Sequence, residues 1–234
     1  MNIRVRFSKH GCLKFIGHLD VMRYFQKAMR RAEIDMCYSE GFSPHMIMSF
    51  ASPLGLGLES DGEYMDISVK QSPSSKEAVE RLNAVMAEGI EVLSWRELPE
   101  NSKNAMASVA GADYEVRFRE GYELEGGWEK KLEEFLALPE IRIMKETKKG
   151  EQEVDIRPWV YDYHIKDQTI FLKVSAGSVH NLKPELLLKA FGDWAGVEIP
   201  AFALLICRKE MYADEGSETE RKLVALEELG EEIG

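Results

Sequence analysis

Cysteine is scarce in this chain, and the few present are far apart. The 234 residues hold three, Cys12, Cys37 and Cys207, with no CxxC pair. That excludes a disulfide framework or a zinc ribbon as the organising device and favours reduced thiols in or near a core. A CxxxCxxC run is also missing, so the chain has no cysteine set of its own for an iron–sulfur cluster. No GxxxxGK[ST] loop, strand-to-helix GxGxxG or GxSxG elbow occurs, which removes the common signatures of nucleotide-binding loops and serine hydrolases. No stretch approaches the roughly 18 apolar residues of a membrane span, and Met1–Arg6 begins like a strand, so a cytoplasmic location is expected. Net positive charge is lacking too: the formal charge is −11. An acidic average argues against nucleic-acid attraction by the surface as a whole.

What is present is a chain of ordinary globular composition, 44% hydrophobic and 30% charged, long enough for two domains. NIRVRF alternates as a half-buried strand. Leu19, Met22, Phe25 and Met29 predict a helix from about Gly17 to Ala32, with Arg23, Lys27, Arg30 and Arg31 on its opposite face. Short apolar runs at 34–39 and 46–52 and the alternation in GEYMDISVK predict strands. Ser74 to Glu77 has capping-box spacing before a second helix that ends near Gly89, and IEVLSWREL returns as a strand.

The strand and helix order then restarts after a polar, small-residue stretch. The expected class is therefore α+β, with two tandem ferredoxin-like (βαββαβ) units, the second with an extra strand or hairpin, and an acidic C-terminal tail. The boundaries expected are 1–98 for the first unit, 99–111 for a linker, 112–212 for the second unit and 213–234 for a helical or disordered tail. The tail's acids include Glu218, Glu227, Glu228, Glu231 and Glu232.

The connection from Tyr38 to Ile67 is longer and richer in Pro and Gly than a hairpin needs. Gly41 can take positive φ, Pro44 fixes the next turn, and His45 follows at once, while Phe42 sits between. Ser60, Asp61, Gly62 and Glu63 read as a polar turn before Tyr64 and Asp66. His10, Cys12, His18, Cys37 and His45, with Asp20, are residue types that bind zinc, but their spacing is not diagnostic. His18-Leu19-Asp20 reads equally as a helix entry, and no metal or other cofactor is assigned. In the second half, Asn181 and Lys183 precede a helix start at Pro184, where free backbone N–H groups could face an anion, or where a well-capped helix simply begins.

RFSKHGCLKFIGHLDVMRYFQKAMRRA, YSEGFSPHMIMSFASPLGLGLESDGEYMDI and GSVHNLKPELLL together resemble the radical SAM-linked proteins, an uncharacterised bacterial family found beside or fused to cobalamin-binding radical SAM proteins. The resemblance spans most of the chain up to the acidic tail. It implies a partner: radical chemistry on a separate chain, and substrate capture or positioning here. The expected function is an accessory module that presents RNA, tRNA or rRNA, for modification. Lys9, His10, His18, Asp20, Arg23, Lys27, Arg30, Arg31, Gly41, Phe42, Pro44, His45, Ser60, Glu63, Asp66, Asn181 and Lys183 form the expected binding surface, with the imidazoles and cations of the N-terminal half converging on one groove. The alternatives are a metal-binding enzyme using the N-terminal His/Asp set, and a structural partner that contacts only protein.

Overall fold

The computed structural model describes residues 1–147, 150–217 and 220–234; Glu218 of the expected tail lies outside them. The class is α+β. In chain order the elements are β1 (Asn2–Lys9), α1 (His18–Arg31), β2 (Met48–Phe50), β3 (Glu59–Ser68), α2 (Ser75–Asn83), β4 (Ile90–Glu97), α3 (Ala105–Ser108) and β5 (Val109–Phe118). They continue with α4 (Trp128–Leu136), β6 (Arg142–Thr147), β7 (Gly150–Asp155), β8 (Val160–Lys166), β9 (Thr169–Ser175), α5 (Pro184–Ala195), β10 (Leu204–Asp214) and β11 (Leu223–Ala225). Among the described residues no helix is long and apolar enough to cross a membrane.

The chain divides into two compact units, one of Met1–Gly111 with Arg208–Gly234 and the other of Ala112–Cys207. The segment expected as a linker is not one: α3 and the start of β5 lie within it. Nor do the described residues of the tail form an α-helix. Beyond Asp214 it supplies β11, paired with β10, and a 3-10 turn at Leu226–Leu229. The C-terminal residues fold with the N-terminal ones because Glu231 exchanges backbone hydrogen bonds with Glu97, and Ser75 N–H donates to Ile233 O.

In the first unit β1 lies between β4 and β3, antiparallel to both, and β2 pairs antiparallel with β3. Strand alternation sorts β1 by face. Ile3, Val5 and Phe7 join a core with Val21, Phe25 and Met29 of α1 and Ala78 and Leu82 of α2. Phe7, Phe25 and Phe50 meet edge to face, the closest centroids 4.7 Å apart. The capping-box reading of Ser74 is matched in part: its hydroxyl accepts from Glu77 N–H at 3.3 Å. The expected strand at 34–39 is reduced to isolated bridges at Met36 and Tyr38, because Met36 N–H turns back to Ile34 O and cannot extend a ladder.

On the other face of β1 stand Arg4 and Arg6. The Arg4 side chain is fully buried, forked onto Asp66 at 2.8 and 3.0 Å, and donates to Leu226 O. Arg6 pairs with Glu227 and with Glu210, and Glu210 also accepts from the Tyr64 hydroxyl. Burial, reinforced by the Glu210 carboxylate and opposed by Arg6, raises the Tyr64 pKa; burial likewise raises that of Glu210. Asp66 thus neutralises the buried Arg4, while the C-terminal segment adds a carbonyl to Arg4 and, through Glu227, a second carboxylate to Arg6.

In the second unit the strand order is β10, β5, β9, β8, and β6 and β7 form a separate antiparallel hairpin. Trp128, Leu132, Phe135 and Leu136 of α4 and Leu187, Leu188 and Phe191 of α5 are the buried positions of these helices. Gly196, at φ 70°, ends α5 in the left-handed region that a non-glycine residue enters only at a cost.

Asp66→Ala would leave the Arg4 guanidinium buried without its carboxylate. The expected loss is about 3–5 kcal/mol, read from urea denaturation, with most of it recovered when Arg4→Met is added. Equal stability of Asp66→Ala and the parent would show that the fork contributes nothing.

Candidate functional site

The loop residues singled out in the N-terminal half of the sequence lie toward two separate ends of the first unit. At one end β1 finishes, β3 starts and Arg208 and Lys209 of β10 run alongside β3. Glu63 is buried there in a forked pair with Arg208, at 2.6 and 2.8 Å, and Arg208 also donates to Ser52 O. Ser60 is equally internal: its hydroxyl donates to Arg208 O and accepts from Gly62 N–H. Lys9 is only 2% exposed and donates to Ile16 O at 3.0 Å. Burial, aided by Arg208 and opposed by Glu63, lowers its pKa. Lys9, Ser60, Glu63 and Asp66 were expected to contact a ligand; each is instead used inside the protein, because a buried charge or hydroxyl needs its partners to be tolerated.

The polar turn expected at Ser60–Glu63 is part of β3, and the reason is Gly62. A Cβ there would meet Lys209 O at 2.6 Å, so glycine lets the β10 backbone pass. The sequence reading missed Arg208 and Lys209; Gly62, and the alternation of charge in CRKE against DGE, was the available signal.

Above this buried layer His10 is half exposed. Its Nε2 lies 2.9 Å from Asp61 Oδ1 and its Nδ1 3.6 Å from Glu59. Lys14 pairs with Glu59 at 3.2 Å, Gly11 N–H donates to the same carboxylate, and Lys209 pairs with Asp61. Burial alone would raise both carboxyl pKa values. The hydrogen bonds and charges of Lys14 and Lys209, with His10, outweigh it and hold Glu59 and Asp61 below the usual range. Gly57 N–H donates to Lys14 O, tying the glycine-rich loop to the segment after β1. His18, the first residue of α1, packs its ring edge-on to Phe50 at 5.0 Å. Around this end Phe15, Leu19 and Leu56 are 60–67% exposed.

His45 is not part of that group. Lys9 pairs with Ser60 at one end of β3, whereas Ser68 N–H bonds Ile47 O at the other. Eight residues of strand at about 3.3 Å each put roughly 26 Å between the two loop sets. The single groove expected for the imidazoles is therefore replaced by two ends of one strand. In the far loop, Ser39 and His45 clasp each other, with Oγ to Nδ1 at 2.9 Å and Ser39 N–H to His45 O at 2.9 Å. Gly41 has φ 107°, Pro44 is exposed, and Phe42 stands fully in solvent.

α1 runs between these ends. Leu19, Arg23, Lys27 and Arg30 share one exposed stripe by helical spacing. Asp20 pairs with Arg23 at 3.2 Å, both well exposed, and Arg31 donates to Val85 O. Among the described residues neither Lys27 nor Arg30 has a carboxylate partner, although the chain as a whole is acidic.

Asn181 and Lys183 belong to the second unit. Leu182 N–H between them already donates to Ser175 O, and Pro184 at the first helical position has no N–H. One donor of the loop expected to face an anion is thus taken, and the first helical position supplies none. Among the described residues no group of three or more His, Cys, Asp or Glu side chains is arranged to hold a metal ion, so the metal-binding alternative finds no ligand set.

The carboxylates around His10 make an acid-sensitive joint. A lowered folded pKa adds stability above the unfolded value, about 4, and that stability is lost as pH falls through the folded value. Asp61→Asn is expected to be less stable near neutral pH and to show a flatter loss below about pH 4. Acid limbs of the same slope in variant and parent, by urea midpoint against pH, would overturn this.

No curated protein matches the chain. One solved structure, titled "Crystal Structure of a Cbf5-Nop10-Gar1 Complex", is similar at a TM-score of 0.47 and 13% identity over 89% of this chain. The chain spans about half, 48%, of the length of that neighbour, and so distant a likeness carries no argument. The family match is of another order: residues 2–184 fit the family described as "Uncharacterized protein conserved in bacteria (DUF2344)". It covers β1 to the start of α5, all of the loops and the helical stripe set out above, and the chain belongs to that family.

Proposed function

We propose that the protein is an accessory binding module that presents RNA to a separate radical SAM enzyme, with the α1 stripe as its phosphate contact. The observation that carries this reading is the exposed Arg23–Lys27–Arg30 row, in which Lys27 and Arg30 lack carboxylate partners among the described residues, within a chain of charge −11. Cations left unmatched in an acidic protein mark a place where outside negative charge is favoured. Exposed Phe42 at one end of the row and Phe15 at the other offer ring faces on which unpaired bases can stack. Separation of the two loop ends suits an extended strand better than a small ligand.

The finer fold reading belongs here too. Both units carry the sheet order fourth, first, third, second strand, which supports two ferredoxin-like folds, the second with the β6–β7 hairpin inserted. The partnership rests on the sequence resemblance and on the absence of a cluster-binding cysteine run. A second reading, contact with the partner protein alone, is favoured by the exposed apolar Phe15, Leu19, Phe42 and Leu56.

The test is titration of tRNA and of ribosomal RNA fragments over a salt series, with the parent and with Arg23→Gln/Lys27→Gln/Arg30→Gln. The parent's affinity is expected to fall steeply as salt rises. The triple variant should bind more weakly and lose about 2 from the log–log salt slope, at roughly 0.7–0.9 per phosphate contact. Absent binding, or a variant with the parent's affinity and slope, would remove the RNA reading and leave protein contact.

A further inference from the structure

The second unit holds a cavity of about 540 Å³ that the reading above does not use. Its walls are apolar, partly aromatic and partly aliphatic: Phe118, Tyr122, Trp128 and Phe191 line it beside Leu124 and Ile199, with Phe118 edge-on to Trp128 at 5.3 Å. Its rim is acidic. Glu123, Glu125 and Glu198 face it against a single cation, Lys131. Glu123 accepts from Gly121 N–H, whereas Glu125 and Glu198 are exposed and have no ion-pair partner among the described residues.

The walls are held from two sides. Arg119 N–H donates to Ala203 O at 2.8 Å and its Nε to Phe202 O at 3.1 Å, so the loop after β5 is fixed to the segment before β10. Tyr122 then meets Phe202 edge to face at 5.3 Å. The turn after α5 is equally constrained. Val197 N–H bonds Gly192 O, and a Cβ at residue 192 would meet Val197 O at 2.5 Å, so only glycine lets the turn close on the helix. These ties fix the opening without a ligand, and its volume is that of an ordinary small-molecule site.

Aromatic faces present negative potential, and excess carboxylates at the rim add to it. An anion is repelled by both, a neutral apolar molecule gains only the walls, and an organic cation is attracted by walls and rim together. We infer that this cavity is a binding site for a small organic ammonium, with the aromatic walls against its apolar body and Glu125 and Glu198 beside its charge. The site is independent of the RNA surface and would stand if that reading failed.

The experiment uses the full chain and three probes that share one ring: benzyltrimethylammonium, benzyl alcohol and benzoate, followed by amide and indole NMR shifts. The cation is expected to move the signals of Gly126, Trp128 and Gly196 and to bind most tightly of the three. Glu125→Gln/Glu198→Gln, both at exposed positions, should weaken it about fivefold and leave benzyl alcohol unchanged. Tyr122→Ala should weaken it about three- to tenfold. The inference is overturned if the cation binds no better than benzyl alcohol or benzoate, if its shifts fall elsewhere, if none appear, or if the charge variant binds it as the parent does.

Discussion

The forked pair between Glu63 and Arg208 is the contact on which the first unit's loop end depends. Two groups 4–5% exposed, from strands 145 residues apart in sequence, satisfy each other's charge and fix β10 against β3. Everything nearby is arranged to make that pair tolerable. Lys9 lies close enough for its pKa to feel both partners, Ser60 ties to the Arg208 carbonyl, and Ser52 O takes a further guanidinium donor. Burying ions is costly unless every hydrogen-bonding position is met, so the motif residues here are conscripted by the fold before they can serve a ligand.

A second consequence concerns charge. The chain is acidic overall, yet several of its acids are matched internally: Asp66 to Arg4, Glu227 and Glu210 to Arg6, Glu232 to Arg96, and Asp61 and Glu59 to Lys209 and Lys14. Net charge therefore says little about the local field on α1, where Lys27 and Arg30 remain unmatched among the described residues. The Debye length in physiological salt is about 8 Å, which makes the local row, and not the average, the quantity a nearby phosphate meets.

What could be read in the sequence was local in cause. The α1 helix follows from apolar spacing at Leu19, Met22, Phe25 and Met29, although Val21 takes the buried place expected of Leu19, which is exposed; α2 follows from the Ser74 cap, and α5 from Pro184 and Gly196. What could not be read depends on chain segments far apart. Gly62 looks like a turn residue until β10 is known to cross it, and the acidic C-terminal stretch has helical composition but folds as a strand and a tight turn. There Leu226 O and Glu227 meet β1 arginines, an interaction over more than 220 residues that no periodicity encodes. The candidate site divided in the same way: Ser60, Glu63 and Asp66 sit in a distinctive pattern, but only their partners reveal that they are internal.

Strand length decides what kind of surface remains. With His10 and His18 at one end of β3 and Ser39, Phe42 and His45 at the other, no small molecule could touch both sets. α1, fourteen residues long, spans about 21 Å between them. A nucleic-acid strand of a few nucleotides reaches that far, and its phosphates repeat on the scale of the Arg23–Lys27–Arg30 row. The same geometry sets His45 apart from the other imidazoles: its Nδ1 is held by Ser39, its surroundings are solvent, and among the described residues no carboxylate pairs with it. A ring held by a neighbouring hydroxyl on an exposed turn is fixed in direction, and it stands in the same loop as the Phe42 ring that the proposed RNA contact would use.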